Sequence, residues 1–164
     1  MRVLVAGVGN PDRWDDGVGV VVVRCAAPRL PAEVLVLERT EPADLVELLA
    51  GIQAAFLVDG VVSGAPPGTV HRFDVSGSPL PPSVRTCSTH GLGVADAVEL
   101  ARVLGWLPPR TVVYGVEVAS VQAGQGLTPP VRRAAEEVGR RLCEEVQGLL
   151  GVRWCTSGTW QKGS

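Results

Sequence analysis

The feature that most constrains this chain is a repeated alternation of short β-type runs with amphipathic stretches. Arg2–Val8 is almost continuously apolar and ends at Gly9, as a strand buried on both faces does. Gly17–Ala27 follows with Val18, Val21, Val22 and Cys25 at helical spacing. Glu33–Glu38 reads as a second strand and Pro42–Ala50 as a short helix, with proline where a first turn accepts it. Ala54–Val62 is a third strand, broken by Asp59-Gly60, and Thr69–Asp74 alternates like a half-exposed edge strand. Val75–Thr89 is rich in Pro and Ser and reads as a long irregular loop.

Beyond that loop, Leu92–Leu104 is a helix with Ala97, Leu100, Ala101 and Leu104 as its apolar face. Thr111–Val118 is a fifth strand. Pro130–Leu150 is a long helix with Val131, Ala134, Val138, Leu142, Val146 and Leu149 inward and an outer face of Arg and Glu pairs. The order β-α-β-α-β-β-α-β-α implies a mainly parallel, roughly five-stranded twisted sheet with helices on both faces, a three-layer α/β/α sandwich. Residues 1–150 form one expected domain. Residues 151–164 lose periodicity and read as a flexible tail.

Composition closes off several function classes. Lys and Arg number 15 against 17 Asp and Glu, with no basic stripe, which argues against nucleic acid as a partner. No apolar run approaches the roughly 20 residues of a membrane span, and Asn10-Pro11-Asp12 comes too early for a signal peptide. A cytoplasmic protein is the expectation. None of the four cysteines forms a C-x-x-C pair, and Cys25 and Cys143 read as small buried hydrophobes on helix faces.

In open α/β sheets, ligands collect beyond the carboxyl ends of the strands. There the sequence places Asn10, Asp15 and Asp16 after strand 1, Glu38 after strand 2, Asp59 after strand 3, and His90 before the Leu92 helix. Gly7-x-Gly9 is half of a dinucleotide fingerprint, but Asp12 holds the third glycine position, and Asp15 and Asp16 would repel a phosphate. One acid suits a helix cap or first turn. Two in succession exceed that need. Asp59-Gly60 is also ordinary turn chemistry, and His71, in the edge strand, reads as a surface residue. Asp16, Asp59 and His90 together make a two-carboxylate, one-imidazole set that suits a divalent ion. Without a metal, two close carboxylates such as Asp16 and Asp59 can share a proton and act as the catalytic pair.

The blocks VLVAGVGNPDRWDDGVG, FLVDGVVSGAPPGTV, STHGLGVADAVELARVLG and YGVEVASVQAGQGLTPPV, in this order, resemble the hydrogenase maturation proteases over roughly residues 1–150. These endopeptidases trim the C-terminus of the nickel–iron hydrogenase large subunit. The resemblance implies an α/β/α sandwich on a five-stranded sheet and nickel ligation by Asp16, Asp59 and His90. It implies nickel supplied by the substrate, with no permanently bound cofactor, and the precursor of a nickel–iron hydrogenase large subunit as partner. Asn10, Asp15 and Glu38 are further candidates for contact with substrate.

Two positions depart from the family pattern. Asp16 stands where some relatives carry Glu, and Glu38-Arg39-Thr40-Glu41-Pro42 replaces an Asp-Gly-Gly-Thr turn. Two other readings stand beside this one. One is a non-catalytic metal-binding maturation chaperone on the same scaffold. The other is an unrelated hydrolase, since Gly-Val-Gly-Asn-Pro also resembles the opening of peptidyl-tRNA hydrolases.

Overall fold

Strand residues of alternating parity feed two separate cores, so the sheet must be covered on both faces. A computed structural model of the chain describes residues 1–87, 91–119, 124–154 and 158–162. Its elements are β1 (Val3–Val8), α1 (Val18–Ala26), β2 (Leu35–Thr40), α2 (Pro42–Leu48), β3 (Ala54–Val62), β4 (Val70–Asp74), β5 (Arg85–Thr86), α3 (Val94–Val103), β6 (Arg110–Glu117), α4 (Pro129–Leu150), β7 (Val152–Trp154) and β8 (Trp160–Lys162). The main sheet runs β2-β1-β3-β6-β4, with β5 paired to β3. β1, β2, β3 and β6 are parallel; β4 joins β6 and β5 joins β3 antiparallel.

Val3, Val5, Phe56, Val58, Val112 and Tyr114 pack against α1 and α4. Leu4, Ala6, Val8, Leu57 and Val113 pack on the other face, against α2 and α3. The result is the mainly parallel α/β/α sandwich that the alternation implies. Among the described residues no helix is long and apolar enough to cross a membrane.

Two helices turn a different face inward from the one their spacing suggests. α1 is apolar almost all round, so periodicity locates its buried side poorly. Val18, Val22, Val23 and Ala26 are buried there, while Cys25 is exposed, and of the two helix cysteines only Cys143 is buried. In α3 the buried set is Val94, Ala97, Val98 and Ala101, and Leu100 and Leu104 are exposed. On α4 the inward residues are as the spacing predicts, apart from Leu149, which packs only partly buried against the core. On its outer face Arg141 pairs with Glu137, and Arg140 turns to Glu144 rather than Glu136. The aperiodic end carries a short hairpin, β7 with β8, which is too brief for alternation to reveal.

Close approach of α1 to the sheet rests on glycine. A Cβ at Gly19 would collide with the carbonyl oxygens of Val8 and Val58, and one at Gly7 would collide with the carbonyl oxygen of Gly19. A Gly19→Ala variant is therefore expected to lose about 1–3 kcal/mol, seen as a fall of about 2–4 °C in Tm for each kcal/mol. An unchanged Tm would show that α1 can move away at no cost.

Candidate functional site

The site begins where β1 stops. β1 pairs with β3 as far as Gly7 and Val58, so Asp59, the next residue of β3, has no β1 neighbour. The space beside it is filled by the chain leaving β1. Gly9, at φ +120°, turns that chain, and a Cβ there would strike the Asp16 carbonyl oxygen. A single 3-10 turn over Trp14–Gly17 then brings Asp15 and Asp16 back against the strand, both buried.

The two acids do different work. Both oxygens of Asp15 are taken up by the fold. Oδ2 accepts from the Ala119 N–H at 2.8 Å, Oδ1 from the Thr128 N–H at 2.8 Å, and the Thr128 hydroxyl donates at 2.8 and 3.0 Å. Thr128 is the N-cap of α4. Asp15 therefore ties the end of β6 and the start of α4 to the turn after β1, and it presents no surface to a ligand, being fully buried.

Asp16 is 5 % exposed and Asp59 1 %. Among the described residues Asp16 accepts one hydrogen bond, from the Asn10 N–H at 3.2 Å. Asn10 in turn holds the Asp12 N–H on its own side-chain oxygen at 2.9 Å, so its role is to shape the turn that presents Asp16. Burial pushes the Asp16 carboxyl up against the opposing influence of the Asn10 N–H and Arg13, and the nearby Glu41 adds to the rise. Asp59 Oδ1 accepts from the Gly60 N–H at 2.8 Å, while its Oδ2 is sealed from solvent with no partner among the described residues. Burial raises the Asp59 carboxyl well above the usual range, the charge of Asp16 raises it further, and the Gly60 N–H only partly offsets them. The charge of Asp16 is thus felt at Asp59, and the two buried carboxyls favour their protonated forms.

The structure thus brings Asp16 and Asp59 together. His90 lies outside the described residues. Among those that are described, no three His, Cys, Asp or Glu side chains are grouped to hold a metal ion. Glu38 instead faces α1, where Arg24 Nε donates to it at 2.9 Å on the surface.

Two further groups at this end of the sheet, Cys87 beside the pair and Glu117 at the end of β6, were not expected from the sequence. The Cys87 Sγ lies 3.5 Å from where a Cβ on Gly60 would sit. Burial raises this thiol, and the charges of Asp59 and Asp16 raise it further. Glu117, at the end of β6, accepts from the Ser63 N–H at 2.7 Å, the Ser63 hydroxyl at 2.8 Å and the Gly64 N–H at 3.2 Å, and lies 3.1 Å from His71 Nε2. Burial opposes its charge, but these donors together hold it below the usual range. His71 is thus a tie between β4 and β6 rather than a free surface group. An acid inside the apolar run TVVYGVEV was the available clue.

The frame is a mainly parallel α/β sandwich with a buried pair of acids at the carboxyl rim of its strands. A family model described as hydrogenase maturation protease matches residues 21–145, and the chain belongs to that family. It is 32% identical over 140 residues to the hydrogenase 2 maturation protease of Escherichia coli (strain K12), covering 83% of this chain and 85% of that protein. It is 30% identical over 152 residues to the hydrogenase expression/formation protein HupD of Rhodobacter capsulatus, covering 90% of this chain and 71% of that one. Among solved structures it is similar to the hydrogenase maturating endopeptidase HybD from E. coli, with a TM-score of 0.73 and 26% identity over 91% of this chain and 94% of that one. The fold and the peptidase character of the protein follow from this membership.

The two acids should respond oppositely to removal. Asp15→Ala leaves three donors without an acceptor and is expected to cost about 2–4 kcal/mol. Asp59→Asn should stabilise the protein by a few degrees in Tm near pH 7. The sign follows from linkage: an acid whose folded affinity for a proton is raised contributes less stability as pH rises through and above its unfolded value. The Tm advantage of Asp59→Asn over wild type should therefore shrink towards pH 4 and widen as pH rises. A pH-independent difference would refute this.

Proposed function

We propose that the protein is a cytoplasmic endopeptidase that removes a short C-terminal peptide from the nickel-loaded precursor of a nickel–iron hydrogenase large subunit. Nickel arrives as part of the substrate, and Asp16, Asp59 and His90 recognise it. The observation that carries this reading is the buried pair itself, with an Asp59 Oδ2 that has no hydrogen-bond partner among the described residues, in a chain of the hydrogenase maturation protease family. A buried carboxylate oxygen without a donor is costly to keep, and a divalent cation offsets that cost. The imidazole of His90 adds a borderline donor that suits nickel better than oxygen ligands alone.

Recognition requires both carboxyls ionised, so docking of the metal displaces their protons. The protein can then bind a loaded precursor and reject one without nickel, which gives nothing to offset the repulsion between the acids. Once the precursor is held, the peptide bond is cut by water, with Asp59 or Asp16 placed to take its proton.

Asp16→Ala, Asp59→Ala and His90→Ala variants are each expected to cleave nickel-loaded precursor at least ~100-fold more slowly than wild type, on the scale of losing a general base. Cleavage is followed by the mass of the large subunit. The wild-type rate should begin to fall at a pH above the ordinary carboxylate range, because both acids bind protons more tightly than usual. Unaltered cleavage by all three variants would remove the assignment. Binding of precursor with no change in its mass would point instead to a maturation chaperone.

A further inference from the structure

Trp14 is the only non-glycine residue with a positive φ among the described residues, at +45°. An L side chain is strained in that region, and a bulky one is a genuine outlier there. Hydrogen bonds on either side fix the conformation. The Trp14 N–H donates to the Gly124 carbonyl at 3.0 Å, the Gly124 N–H to the Asp12 carbonyl at 3.0 Å, and the Asp16 N–H to the Arg13 carbonyl at 3.1 Å. The indole edge lies against Gly124, where a Cβ would strike the ring nitrogen.

Neither a core nor a turn calls for this residue. A core tryptophan would be buried, and Trp14 is 37 % exposed. A left-handed turn position is held with less strain by glycine or asparagine. Backbone outliers of this kind cluster at ligand clamps. The indole also has somewhere to act. It forms one wall of an open groove of about 290 Å³ whose other apolar walls are Pro11, Val21 of α1 and Leu127. Of the charged lining residues, Arg24 is bonded to Glu38 at 2.9 Å, and Asp12 is exposed to solvent.

The groove adjoins the acid pair through one turn. Trp14 and Gly17 both line it, and Asp15 and Asp16 lie between them in the single 3-10 turn Trp14–Gly17. Two residues span at most about 7 Å of chain, so a polypeptide that brings a metal to Asp16 comes within reach of the indole. We infer that Trp14 is an anchor for the substrate polypeptide, and that a large apolar side chain close to the substrate's metal centre fills the groove between this turn and α1. The inference rests on the peptidase reading and adds a contact with the polypeptide that is separate from its metal. The groove lies at the small end of ligand pockets, which suits one large side chain rather than a docked helix. An indole offers a large contact area with few torsions to fix, and the strained turn holds it in place before the substrate arrives.

Two experiments on the full-length chain test this. The first compares Trp14→Asn and Trp14→Phe with wild type for cleavage of nickel-loaded precursor. Asparagine suits the left-handed backbone and removes the ring, whereas phenylalanine keeps both a ring and the strain. KM is expected to rise at least about tenfold with Asn and no more than about threefold with Phe, with kcat within about threefold for both. A turn that merely lost its shape would displace Asp16 and lower kcat, and Asn would then be the milder change. In the second, benzoylphenylalanine, a photo-cross-linking amino acid, replaces Trp14 or, as a control, Val103, which is 82 % exposed on α3. Illumination with nickel-loaded precursor should join position 14, and not position 103, to the large subunit. A KM for Trp14→Asn within about twofold of wild type, equal changes with Asn and Phe, or no cross-link from position 14 except to a second copy of this chain would each overturn the inference and leave the peptidase reading in place. If wild type leaves the mass of the precursor unchanged, the peptidase reading fails, and the cross-link alone decides whether Trp14 touches the polypeptide. The cross-link likewise decides if either variant fails to fold.

Discussion

The geometry of the acid pair depends on the Asp15 carboxylate. It gathers the turn after β1, the end of β6 and the first turn of α4 around one buried charge. The first lies more than 100 residues from the other two in sequence, and they meet at the carboxyl ends of the parallel strands. With donors on both oxygens, Asp15 is a satisfied buried charge, which stiffens its surroundings. Its neighbour Asp16 is thereby held near Asp59 with, among the described residues, a single hydrogen bond, and one oxygen of Asp59 has no hydrogen-bond partner among them. One acid is fully paired so that the next two need not be.

That arrangement explains why the acid pair is both costly and useful. Two buried carboxyls at close range favour their protonated forms, and the protein gains stability from neither charge at neutral pH. A cation brought by a partner reverses the balance.

Much of this was legible in the chain. Strands β1 and β3 and the long helix α4 follow their apolar runs closely, because burial on both faces leaves little choice of residue. The pairing of Asp16 with Asp59 follows from the rule that ligands gather at strand carboxyl ends. Faces were harder. α1 carries valine on nearly every side, so the solvent-facing position of Cys25 could not be read from spacing. On α3, the exposed Leu100 and Leu104 stand where an apolar stripe was expected. Glu38 fell on the rim by counting, but the odd and even residues of β2 face opposite layers, and its carboxylate went to Arg24 on α1.

By itself, the sequence determined the alternation of elements, the sandwich they build and the family of the protein. These follow from local periodicity and from short blocks of neighbouring residues. Only the tertiary structure divided the work of two adjacent aspartates. It also re-phased Thr40 through the bulge opposite Gly7, drew Cys87 in beside the acids, and tied Glu117 to Ser63, Gly64 and His71. Each of those outcomes depends on which distant donor reaches a given oxygen. Distance across a folded chain is set by packing and strand register, and neither is written in the order of the residues around the atom concerned.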